Sequence, residues 1–208
     1  MIDKICNYLT NKIRKQIPEF TNEKAEEINY GLHILIGEMP KTFIFIFISL
    51  LLGMFKEFVI TFLVIFPYRA VSGGFHLKTH IGCIVATSLV YCGVPYISEK
   101  IIIAQEFKYI LITLIWIFGM LMCKLYAPAD TENIPILRKK ERKTKRILSY
   151  VVLTITLIIG AVIKNNTISN IIILGMLVQS IMISKLAYRI TNNKYGYEVY
   201  NEDCTLKT

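Results

Sequence analysis

The strongest constraint in the sequence is the gathering of its apolar residues into six blocks, near 42–55, 58–68, 81–97, 109–127, 147–163 and 168–187, with polar or charged segments between them. A helix rises about 1.5 Å per residue and the hydrocarbon core of a bilayer is about 30 Å thick, so the last four blocks cross with a few flanking residues, whereas the first two are short. Lys56 and Glu57 divide that front pair, which forms a tight helical hairpin or borrows flanking residues such as those from His33 to Lys41. With 54% hydrophobic and only 19% charged residues, a soluble domain of 208 residues could not bury so much apolar surface. The expected fold class is all-α, a polytopic integral membrane protein of about six transmembrane or membrane-embedded helices preceded by an N-terminal amphipathic helix. The expected organisation is one membrane domain over 1–190, with cytoplasmic or interfacial helices over 1–38, embedded helices over 42–187, a basic cytoplasmic loop over 128–146, and a polar tail over 191–208.

Lys and Arg set the expected orientation, because basic segments are retained on the cytoplasmic side. Six of the 24 basic residues precede the first block, eight run from Lys124 to Arg146, and four follow from Lys185. Six spans with both termini inside put these three segments on one side, together with the segment before Cys83. Residues 2–17 place Ile2, Ile5, Cys6, Leu9 and Ile13 at helical spacing, with Lys4, Lys12, Arg14 and Lys15 elsewhere. That pattern suits a helix lying on an anionic membrane surface or one packing on the protein itself. Asp3, Glu19, Glu23, Glu26 and Glu27, and no continuous apolar core, argue against a cleavable signal peptide. The net charge of +9 is concentrated between Arg138 and Arg146, where seven of nine residues are basic. In a membrane protein such a run enforces topology and touches lipid phosphates, or docks an acidic peptide; no nucleic acid is expected.

The five cysteines, at 6, 83, 92, 123 and 204, are odd in number and share no CxxC spacing, and disulfides are not expected. Cys92 and Cys123 read as small packing residues. Cys83 differs in its surroundings: in FPYRAVSGGFHLKTHIGC, from Phe66 to Cys83, a proline and two adjacent glycines interrupt the apolar pattern before His76, Thr79, His80 and the cysteine. The segment reads as a loop entering a helix, with Thr79 as N-cap and Cys83 in the first turn or so, near the positive end of the helix dipole, a setting that suits a nucleophilic sulfur. On one unbroken helix His76 and Cys83 would stand about 10.5 Å apart along the axis, too far for an imidazole to meet a sulfur. Their partnership therefore requires a helix that starts near Thr79 and leaves His76 on a loop able to fold back, with Gly73 and Gly74 letting the backbone approach a substrate closely. Two other readings stand beside this one. One is an ordinary loop with an interfacial histidine and a packed cysteine. The other is a metal site of His76, His80 and Cys83, which is weaker because HLKTH lacks the glutamate of HExxH.

The stretch from Arg69 to Cys83, with Gly74, His76 and Cys83 in register, resembles the catalytic segment of the accessory gene regulator B (AgrB) family of quorum-sensing peptide processors. A second stretch, KLYAPADTENIPILRKKERKTKR from Lys124 to Arg146, resembles that family's Tyr-Ala-Pro loop, which runs through a Pro-Ile into a basic cluster. The likeness covers nearly the whole chain in hydropathy order. It implies a membrane cysteine endopeptidase in which Cys83 is the nucleophile and His76 its general base or ion-pair partner, with no role for Lys78 or His80. It also implies an AgrD-like precursor peptide with an amphipathic leader, a central signal segment and an acidic C-terminal tail, a lipid surrounding, a homodimer, and neither metal nor cofactor. Cys83 would release the tail and hold the remainder as a thioester, which an internal cysteine or serine of the precursor would attack to close a thiolactone or lactone ring. Backbone amides around Gly82 and Cys83, or Arg69, are candidate oxyanion donors, Gly73 and Gly74 candidate substrate contacts, and Arg138, Lys139 and Lys140 candidate receptors for the acidic tail. Asp130 could orient His76 as a third triad member would, although a loop acid near Pro128 is more often a turn or cap residue. The competing reading is a non-enzymatic membrane protein that binds or exports a peptide, with the basic loop, Asn170 and Gln179 as contacts.

Overall fold

A computed structural model describes residues 2–16, 22–77, 79–131, 135–136 and 138–198. The architecture is all-helical, as expected: α1 (Ile2–Gln16), α2 (Asn22–Leu51), α3 (Phe55–Ser72), α4 (His80–Lys100), α5 (Gln105–Tyr126), α6 (Lys139–Val162), α7 (Asn166–Met182) and the short α8 (Lys185–Ile190). The chain packs as two compact units, Met1–Gly53 and Met54–Thr208. In the first, α1 packs on α2, with Cys6 and Thr10 buried and Asn29 donating from Nδ2 to Asn7 Oδ1 at 2.7 Å. The amphipathic N-terminal helix therefore packs on the protein itself. The first apolar block is the C-terminal part of α2, which does borrow the residues before it.

The second unit is built around α7. Nine of its seventeen residues are buried, from Ser169 through Ser180, and it packs against α3, α4, α5 and α6. A helix apolar on all sides belongs in such a central position. The core joins Leu153 and Leu157 of α6, Ile115 of α5 and Tyr68 of α3 to Ile172, Ile173 and Met176 of α7. Several polar groups inside it are paired. The Tyr68 hydroxyl lies 3.1 Å from Cys123 Sγ and 3.2 Å from Ser180 Oγ, and Asn170 donates to the Ser98 and Ile101 carbonyls at the end of α4. Asn170 is thus a helix-end anchor and not a peptide contact.

Leu89, Ile110, Leu114 and Ile158 face outward, and three helices (α4 from Ile81, α5 and α6) are long and apolar enough to cross a membrane; residues 42–51 and α7 are shorter apolar helices. So much outward apolar surface at helix middles suits lipid as the neighbour. The sequence reading erred at three boundaries. Pro67 does not end the helix: α3 continues through it to Ser72, four residues past the second apolar block. The basic segment is not a loop throughout, because α6 begins at Lys139 and carries most of the charge on its first two turns. Within 192–198, expected in a polar tail, Tyr195 and Gly196 are buried: Tyr195 is 1% exposed and donates from its hydroxyl to the Ile183 carbonyl at 2.9 Å. The rest of that tail, Cys204 included, lies outside the described residues.

Candidate active site

Two segments far apart in sequence meet at one end of the second unit. The C-cap of α3, Gly73, takes φ +75° and ψ −152°, and its strand-like neighbour is Ala129. Ala129 N–H donates to the Ser72 carbonyl at 2.8 Å and Gly74 N–H to the Ala129 carbonyl at 2.9 Å. A Cβ on Gly73 would fall inside the Ala129 carbonyl, and one on Gly74 would stand 3.1 Å from the Arg69 guanidinium. Gly73 is therefore demanded by close approach to backbone, and Gly74 by its φ of +146°.

The 127–131 segment is clamped from behind. Tyr188 donates to the Ala129 and Asp130 carbonyls at 2.8 and 3.1 Å, Arg146 Nε to the Ala127 carbonyl at 2.7 Å, and Arg142 to the Pro128 carbonyl at 3.3 Å. The Asp130 side chain is fully buried, with Oδ2 2.7 Å from Arg142 and 3.0 Å from Ile136 N–H. Burial, with Asp130 nearby, pushes Tyr188 ionisation upward and keeps its hydroxyl a donor. Tyr195 stacks on Tyr188 at 3.9 Å between ring centres, and Arg142 lies over Tyr197 at 5.0 Å. Through Oδ2, Asp130 pairs with Arg142 and the Ile136 amide, which makes it an anchor of this loop. Removing its partner should expose that role. Arg142→Ala is expected to cost about 3 kcal/mol or more, because it leaves a buried carboxylate without its cation. Thermal unfolding in detergent should show a drop of several degrees, while Lys143→Ala at an exposed neighbouring position should leave the midpoint in place.

The chain is broken between α3 and α4, as the His76–Cys83 partnership requires. Thr79 is the N-cap of α4, with φ −108° and ψ 138°, and its Oγ1 accepts from Gly82 N–H at 3.1 Å. Cys83, in the first turn, donates its own N–H to the Thr79 carbonyl at 3.0 Å and is half-buried. Its wall of the unit lines a small, partly open cleft shared with Arg69, Phe75, Leu77, Tyr91, Gln179 and Met182. The mostly apolar lining, with one guanidinium and one amide in it, suits an apolar side chain next to a polar backbone group. His76 lies on the exposed part of the 73–79 loop, outside the lining of this cleft. Lys78 and the His80 side chain lie outside the described residues. Among the described residues no three His, Cys, Asp or Glu side chains are gathered as metal ligands would be.

The backbone oxyanion donors read from sequence are otherwise engaged. Gly82 and Cys83 N–H close the helix cap, Gly73 N–H donates to the Arg69 carbonyl at 2.9 Å, and Gly74 N–H to Ala129. The first turn of α4 leaves its amides to the Thr79 cap, the last turn of α3 offers its Arg69 carbonyl to Gly73, and the Gly74 amide is taken by the pairing with Ala129. Arg69 remains in the cleft, its NH2 donating to the Phe75 carbonyl at 3.0 Å and its NH1 directed to Gln179 Oε1 and Met182 Sδ, each at 3.4 Å. Sequence reasoning overlooked Gln179 as a site residue, treating it only as a generic polar contact. An amide in the middle of an apolar block was the available signal.

The family model for accessory gene regulator B matches residues 2–183. An AgrB-like protein of Listeria welshimeri is 27% identical over 204 residues, covering 95% of this chain and 94% of its own length. An AgrB-like protein of Listeria monocytogenes is also 27% identical with the same coverage. The accessory gene regulator protein B of Staphylococcus aureus is 29% identical over 182 residues, 88% of this chain and 91% of its own length. No solved structure matches the chain.

Proposed function

The chain belongs to the accessory gene regulator B family, and from that premise we propose that it is a membrane cysteine endopeptidase that processes a quorum-sensing precursor peptide, with Cys83 as nucleophile and His76 as general base. The observation that carries this reading is the placement of Cys83 in the first turn of a helix capped by Thr79, on the wall of a cleft that also holds a guanidinium. Cys83 attacks the carbonyl at the junction between signal segment and acidic tail. His76 takes the thiol proton and returns it to the departing amine, for which the 75–79 loop turns its imidazole over the cleft as substrate fills it. The C–N bond breaks, the tail leaves, and a thioester remains on Cys83. An internal thiol or hydroxyl of the precursor then attacks the same carbonyl, closing the ring and regenerating the Cys83 thiol. Forming a thioester from a peptide bond is uphill, so departure of the tail draws the reaction forward. Arg69 serves the developing oxyanion, and the apolar walls keep water from the acyl-enzyme.

The basic start of α6 supports a receptor for the acidic tail. Arg146 and Arg142 tie it to the same loop that pairs with Gly73, so the charge and the cleft lie at one end of the unit. By the charge rule that end faces the cytoplasm. Lys139 and Lys140 are exposed there. Changing Arg138, Lys139 and Lys140 to Gln together should raise the KM for precursor by about three- to tenfold at low salt, with little change at high salt, since exposed charges steer and are screened. Steady-state assays at two ionic strengths check this, and an unchanged KM removes the role.

The reading as a whole is tested by reconstituting the protein in liposomes with a synthetic precursor and following the peptide by mass spectrometry. An endopeptidase yields free tail and a ring lighter than the linear acid by one water. A binding or export protein leaves the precursor at its original mass.

A further inference from the structure

We propose that Gln179 is a positioning residue of this site, fixing the Arg69 guanidinium in the Cys83 cleft without neutralising it and tying it to the Gly73 turn. The inference rests on the endopeptidase reading, and extends it to a residue on a helix remote from both sequence motifs.

Gln179 is fully buried in α7, where an amide with unmet hydrogen bonds would be costly. Its bonds are met by the site. Nε2 donates to the Gly73 carbonyl at 2.8 Å and to Ser72 Oγ at 3.1 Å, and Oε1 accepts from Arg69 NH1 at 3.4 Å. Met182, three residues along and hence on the same face of α7, brings its sulfur to the same guanidinium nitrogen. The Phe75 carbonyl holds the other terminal nitrogen. Arg69 is thereby gripped from α7 and from the 73–79 loop at once.

The chemistry of the grip is its point. The hydrogen-bond acceptors of Arg69 among the described residues are an amide oxygen, a thioether and a backbone carbonyl, all neutral. A carboxylate in place of Gln179 would hold the cation as well and cancel its charge, and it would face the Gly73 carbonyl with an acceptor where a donor is needed. A side chain carrying a donor and an acceptor, uncharged, is what both partners require. Held in this way, the positive charge stays available to an anion that forms only during reaction, in a cleft whose apolar walls strengthen it.

The test compares Gln179→Glu and Gln179→Leu with wild type in reconstituted vesicles, using the synthetic precursor for kinetics and iodoacetamide, a small neutral reagent, for access to Cys83. For Gln179→Glu the expected result is a fall in kcat of about tenfold or more, a KM within about threefold and unchanged alkylation of Cys83, with a lower melting temperature because the carboxylate meets the Gly73 carbonyl. Gln179→Leu should lose kcat similarly. A kcat within about twofold of wild type in both variants overturns the proposal. So does a loss of kcat accompanied in both by altered alkylation of Cys83 or by a KM raised in parallel, which marks a merely structural amide. A wild type that releases no tail overturns the endopeptidase reading beneath it, an outcome distinct from active wild type with active variants.

Discussion

Replacing Cys83 with Ala is expected to abolish tail release, by about a thousandfold or more, with little effect on folding. The thiol forms the covalent bond on which both halves of the reaction depend, and no nearby group replaces it. Structure predicts tolerance, since Cys83 is half-buried in the first turn of α4 and alanine is a good helix former there. Cys83→Ser keeps the shape but offers a far weaker nucleophile, with an ester that the internal thiol displaces slowly. His76→Gln should lose about a hundredfold, the usual contribution of a positioned base. The measurement is precursor and free tail by mass spectrometry after co-expression, with membrane levels of each variant compared. Tail release by Cys83→Ala at the wild-type rate would mean the sulfur is only a packing atom.

Gly73→Ala is expected to be nearly as damaging although the glycine need not touch the reacting atoms. At φ +75° an L-residue is strained, by about 1 to 3 kcal/mol in such regions, and here the added Cβ meets the Ala129 backbone, which has no flexible end to give way. The pairing of the 72–74 segment with Ala129 must open, and with it the turn that carries Phe75 and holds Arg69. Tail release should fall about a hundredfold while the helices persist. Hydrogen exchange reads the cause directly: the Gly74 and Ala129 amides, bonded in the wild type, should lose protection in the variant. Gly31→Ala provides the contrast, because a Cβ there meets nothing within 4 Å and its backbone carries no positive φ; it should be neutral. Retained activity and protection in Gly73→Ala would show that the turn tolerates what its geometry forbids.

What the sequence revealed was local. Helix class and the approximate blocks follow from hydropathy because lipid leaves the backbone few alternatives. The start of α4 was legible because threonine, three residues before a glycine and after a glycine pair, has a cap to make and little else to do. Pro67 interrupts the apolar pattern in the sequence, yet α3 runs through it to Ser72. The pairing of Gly73 with Ala129, the burial of Asp130 against Arg142, and the return of Tyr195 to the core all join residues distant in sequence, and periodicity carries no information about them. The basic cluster shows the limit most clearly. Counted as charge it marks a side of the membrane, yet Arg142 and Arg146 are spent on loop carbonyls while Lys139 and Lys140 face outward. The same count could not tell these apart. Cys83 and Arg69 do share a cleft, but His76 stands outside its lining, so the proposed mechanism uses the fold-back of the loop that the His76–Cys83 spacing requires.

The covalent intermediate can be caught. A precursor whose internal cysteine is replaced by alanine has no nucleophile with which to close the ring, so the thioester should accumulate after the tail departs. Intact mass of the purified protein should then rise by the mass of the leader and signal segment, the adduct should be removed by hydroxylamine, and fragmentation should locate it on Cys83. Release of the tail with no adduct on Cys83, or an adduct that survives in Cys83→Ala, would contradict cysteine catalysis at this cleft.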